Sequence, residues 1–148
     1  MSNFKEVKVD GTIKDMVKSI FDSNLKIDGN WGYSQELATV INSNNTIPTK
    51  QLQQMLISMR AYLEMNITQT QEDRYANINP NELSREEVSD NYYKVTYQIT
   101  AIKEDIYNRF IKEYKKGHNQ KDFDLTAHFN RRKEASLKRE VIYWFKIV

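Results

Sequence analysis

The chain contains no cysteine. Disulfides, thiolate metal sites and a cysteine nucleophile are therefore excluded, and a reducing compartment is the expectation. Glycine is scarce too. Only Gly11, Gly29, Gly32 and Gly117 occur, so neither a GxGxxG turn nor a Walker A loop can be written. The two histidines, His118 and His128, stand ten residues apart, which matches no zinc spacing. HExxH, GxSxG and EF-hand patterns are absent. No apolar run has the length that spans a bilayer, and the opening "MSNFKEVKVDGT" has no apolar stretch of leader type. The expectations are a cytoplasmic protein with no membrane partner, no metal, no cofactor and no motif-borne catalytic residue.

What is present fits one α+β domain over residues 1–148. The charged fraction is 28% and the formal net charge only +2, which argues neither for disorder nor for a general nucleic-acid coat. The balance conceals an asymmetry. Residues 1–114 hold 13 Lys/Arg against 16 Asp/Glu, whereas residues 115–139 hold 8 against 3. A local basic patch can bind an anion where diffuse charge cannot.

Residues 1–59 read as a helical part. Ile13, Met16, Val17, Ile20 and Phe21 recur at helical spacing, with Thr12 and Asp15 as a capping pair. "IDGNWGY" reads as a turn. "SQELATVIN" reads as a short helix capped by Ser34, with Tyr33, Leu37, Val40 and Ile41 on one side. A further helix starts at Thr49, carrying Leu52, Met55, Leu56 and Met59.

Residues 60–148 read as sheet plus helices, in the order β-β-α-α-β. "RAYLEMNIT" alternates as a half-buried strand, although the preceding helix could also continue through it. "YYKVTYQITAI" is a clearer strand. Between them, residues 69–90 read as a long polar connection, projecting and mobile, with a helical turn at Ser84–Glu87. Its Glu82, Glu86, Glu87 and Asp90 read as solvated surface. A helix from Lys103 ends at Gly117, another covers Leu125 to Lys138, and a last strand covers Glu140 to Val148. The sheet is expected to be mixed or antiparallel and covered by helices.

The last strand places Val141, Tyr143, Phe145 and Ile147 on one face and Ile142, Trp144 and Val148 on the other. A strand apolar on both faces is expected to be covered on both, by helices or by a second protomer. Trp144 is thus a candidate for a homo-oligomer interface. Trp31, in its turn, reads either as a lid on the core or as an anchor for a protein partner.

The sharpest candidate site lies in "DLTAHFNRRKEASLKR". On a helix, His128 and Arg132 share a sector with Leu125, Phe129 and Ser136, while Arg131, Lys133 and Lys138 turn to water. An arginine on an apolar side needs a partner. That partner is an acidic side chain such as Glu64, or a phosphate gripped by the guanidinium. Arg139 could add a second clamp. Three readings follow, in order. The first is a non-catalytic protein that captures an anionic small molecule or nucleic acid through His128, Arg132 and Arg139. The second is a protein-interaction module, such as an inhibitor or adaptor. The third is a phosphodiesterase or nuclease using His128 with carboxylates.

Overall fold

The computed structural model describes residues 4–7, 13–21, 25–67 and 73–148, and the fold is α+β. Helix α1 (Ile13–Phe21) is followed by the short strands β1 (Ile27–Gly29) and β2 (Thr39–Ile41). Helix α2 (Thr49–Tyr62) runs into a π-helical turn, Leu63–Ile67. Then come β3 (Tyr75–Ser89), β4 (Tyr92–Lys103), α3 (Glu104–Gly117), α4 (Leu125–Ala135) and β5 (Leu137–Ile147). The five strands form one mixed sheet in the order β1-β2-β5-β4-β3. Only β2 and β5 run parallel.

The core lies on one face of that sheet. Val95, Tyr97 and Ile99 of β4 and Tyr143 and Phe145 of β5 cluster with Ile13 and Val17 of α1 and Leu52, Leu56, Ile57 and Ala61 of α2. Gly32 lets the chain pass close above this layer. Its φ is +74°, a Cβ there would collide with the Tyr143 ring, and its carbonyl accepts Trp144 N at 2.8 Å. A side chain is excluded by space and by backbone conformation together.

Four expectations need correction. Residues 34–42 are not a helix. One turn forms, with Leu37 N bonded to Ser34, and the β-branched run Thr39–Ile41 then joins the sheet beside β5, where such residues fit better. The strand read into residues 60–68 is helical over its described part, 60–67: α2 continues and widens into the π turn, and Arg60, Ala61, Leu63, Glu64, Met65 and Asn66 are buried together. The alternation in that stretch was coincidental. Within the supposed loop 69–90, residues 75–89 form the longest strand, and no helical turn occurs at Ser84–Glu87. It is an edge strand, so polar residues and Pro80 are tolerated. Three register shifts break its ladder, near Asn77, Leu83 and Val88, and Asn77 adopts φ 54°. The Thr12 cap lies outside the described residues.

The fourth correction concerns coverage. β5 is interior, between β2 and β4, but only its inner row is enclosed. Tyr143 and Phe145 are 0% exposed, whereas Ile142 is 40% exposed and Trp144 half-buried. Periodicity describes one strand; the row across the sheet is diluted by its neighbours on β4, Lys94, Thr96, Gln98 and Thr100. A face so diluted can stand in water.

Candidate functional site

The α4 segment separates its cations. Asp124 caps the helix, accepting Ala127 N at 2.9 Å. His128 is fully buried. Phe110, Tyr114, Phe123 and Phe129 ring it at centroid distances of 5.7, 5.8, 5.5 and 5.2 Å. Neither of its ring nitrogens has a hydrogen-bond partner among the described residues. Nδ1 lies 3.5 Å from Glu113 Oε1, but that oxygen is taken by Arg131. His128 thus has no exposed surface through which to touch a ligand.

Arg132 is half-buried and lies over the rings of Tyr107 and Phe129, 5.2 Å from each. The sector it shares with Leu125 and Phe129 is not core, since both are 46% exposed. Arg131 and Lys133 are exposed, as their helix angles indicated; Lys138 is exposed too, but the helix ends at Ala135 and not at Lys138, which lies on β5. Arg139 goes elsewhere. It points to the inner face, pairs with Glu64 Oε1 at 3.0 Å and covers the Phe4 ring. The carboxylate that the sequence offered to Arg132 is thus held by Arg139, and His128, Arg132 and Arg139 have different surroundings.

A second polar centre was missed. Arg60, on α2, is 1% exposed and lies between the rings of Tyr33 and Tyr143, at 4.5 and 4.4 Å. Its guanidinium donates to the Trp31 carbonyl at 3.0 Å and the Ile142 carbonyl at 2.7 Å. Nε is 3.8 Å from Glu64 Oε2, which also accepts the Tyr33 hydroxyl at 2.6 Å. The Tyr33 oxygen in turn accepts Val7 N at 2.8 Å. The only signal available was the i, i+4 spacing of Arg60 and Glu64, which surface pairs share. The centre ties β5, α2, the Trp31 turn and the N-terminal segment together. Trp31 is itself buried and packs with the core cluster, as a lid would.

The tyrosine hydroxyls of this layer resist ionisation. Burial and then the Glu64 carboxylate push Tyr33 above its ordinary value. Burial does the same to Tyr97, with Glu82 adding to it. Tyr143 is pushed up to about 12 by burial; its hydroxyl meets Thr39 Oγ1 at 2.7 Å. All three are therefore neutral at physiological pH, unfit as bases and consistent with a structural role.

The open face of the sheet offers what the inner face lacks, reachable groups. Tyr92 on β4 pairs with Lys146 on β5, and Lys94 with Trp144. Lys146 Nζ lies 5.2 Å from the Tyr92 ring centre, and Lys94 Nζ 6.0 Å from the Trp144 ring. Rings and cations therefore alternate as a checkerboard, each on a diagonal. All four side chains are half-buried. Acids near these positions are Glu86, the partner of Lys94 on β3, Asp90, two residues before Tyr92, and Glu140, four residues before Trp144.

Among the described residues, no group of three His, Asp or Glu side chains could hold a metal ion, and no helix is long and apolar enough to cross a membrane. Compared with known proteins, the chain matches no protein-family model, no curated protein and no solved structure.

Proposed function

We propose that the protein is a non-catalytic binder of an anionic ligand, a nucleotide or short nucleic acid, held on the open face of the sheet. The observation that carries this is the checkerboard of Tyr92, Lys94, Trp144 and Lys146. Rings accept a base face while lysines meet the phosphate charge. Cross-strand cation–ring pairs also stabilise a sheet by themselves, by about 0.2–1 kcal/mol each, so the pairing alone is not a site. What favours a ligand is that both pairs lie side by side on an uncovered face.

The test is calorimetry with a panel of mononucleotides and anisotropy with labelled oligothymidylate. Trp144→Ala and Tyr92→Ala should each weaken binding by roughly 1–3 kcal/mol, and Arg132→Ala should not. If no probe binds, or if the ring variants bind as the wild type does, the reading fails. A dimer in analytical ultracentrifugation that Trp144→Glu dissociates would also overturn it, because the face would then be a protomer interface.

A further inference from the structure

We infer that the checkerboard is one end of a longer track whose ligand is a single-stranded nucleic acid. This rests on the reading above and extends it. One row crosses the open face. Tyr92 pairs with Lys146, Lys146 with Val40, and Val40 with Asp28. Three strand spacings make that row about 14 Å long. Its far end opens into a cleft of about 450 Å³ between β1 and α1.

Three lysines line that cleft among the described residues. Lys14 and Lys18 stand one helical turn apart on α1, so they share a side of it, and Lys26 leads into β1. Each is exposed. Among the described residues the opposing charge in the cleft's lining is Asp28, whose carboxylate already accepts Gly29 N at 2.9 Å. Among the described residues that line it, none is aromatic. It therefore suits phosphates and not bases, while the checkerboard suits bases. A mononucleotide satisfies one end only. A duplex hides its base faces in its own stack, leaving Trp144 and Tyr92 nothing to stack on. A flexible single strand satisfies both ends at once, within the several-nucleotide span usual for such grooves.

Anisotropy with labelled oligothymidylate and oligouridylate of about 4 and about 16 nucleotides tests this, with the long duplex as third probe. The long single strand of either sugar should bind at least about 10-fold tighter than the short one, and tighter than the duplex. The triple variant Lys14→Ala/Lys18→Ala/Lys26→Ala should keep the short-strand affinity and lose the gain with length. Its salt dependence, as the slope of log affinity against log salt, should flatten by about 2. The substitutions are exposed, and circular dichroism checks the fold. If affinity is independent of length, if the duplex binds as well, or if the triple variant keeps the length gain, the track is overturned. The open-face reading survives that result provided Trp144→Ala still weakens the short strand. If no probe binds the wild type, both fall.

Discussion

Strand β5 holds cations against aromatic rings on both of its faces, and the two arrangements are built differently. Inside, the Arg60 guanidinium is clasped between Tyr33 and Tyr143 and has backbone carbonyls and Glu64 as partners. Outside, Lys94 and Lys146 rest over Trp144 and Tyr92 in partial contact with water. Arginine suits the first setting because its fork can serve several fixed acceptors at once and is weakly hydrated. Lysine suits the second because its compact ammonium keeps its hydration and leaves a ring easily. The inner cations are committed to the fold. The outer ones are half-buried at the surface, where the proposed ligand would meet them.

The largest effect should come from breaking the inner arrangement. Arg60→Ala removes a buried charge while Glu64 stays buried, a change that costs about 3–5 kcal/mol. For a chain of this size the melting temperature should fall by about 10 °C or more. Arg139 remains beside Glu64, so adding Glu64→Gln should recover part of the loss. A melting temperature within about 2 °C of wild type for Arg60→Ala would mean that the inner centre does not hold the elements together.

The next contrast uses neighbouring residues. Phe145→Ala opens a cavity in the core and should cost about 3–5 kcal/mol by urea unfolding. Trp144→Ala, on the other face, should cost about 1 kcal/mol or less, although tryptophan is the larger side chain. Equal costs would show that the open face is covered in solution.

Alkaline pH probes the inner face. A hydroxyl whose folded pKa is raised contributes stability that is complete below the unfolded value, near 10, and lost as pH rises through the folded value. Tyr143 is raised to about 12, and Tyr33 and Tyr97 are raised too. Stability from this source should be flat below about pH 9 and fall between about pH 10 and 12. Tyr143→Phe should flatten part of that fall. Urea midpoints measured across this range provide the check.

Much of this architecture was legible in the sequence, in proportion to how far each segment is governed by its own periodicity. Helices α1 and α3 and strand β4 carry full amphipathic patterns, and they fall where those patterns put them. β2 is too short for a period, and its pairing depends on β5, some hundred residues later. β3 is an edge strand whose outer half has little core to face, so nothing in its composition distinguishes it from a loop. At the site, the helix angles correctly divided Arg132 from Arg131 and Lys133. They could not reveal that Glu64 would be claimed by Arg139, because that pairing joins residues 75 apart in sequence. The checkerboard was hidden for the same reason, since it exists only in the register between β4 and β5.

The smallest expected effect concerns His128, which decides whether α4 or the sheet carries the ligand. The imidazole is fully buried among four rings, and both nitrogens lack partners among the described residues. A buried polar atom without a partner costs about 1–3 kcal/mol, and replacement by an apolar group of similar shape can be neutral or favourable. Leucine has nearly the volume of histidine, so the cage needs little repacking. His128→Leu should therefore shift stability by no more than about 1 kcal/mol in either direction, and oligonucleotide affinity should stay at its wild-type value. Loss of binding in a variant that melts normally would return the site to α4 and remove the open face from the argument. Unchanged binding in His128→Leu, beside weakened binding in Trp144→Ala, is the pattern that the proposed open-face site requires.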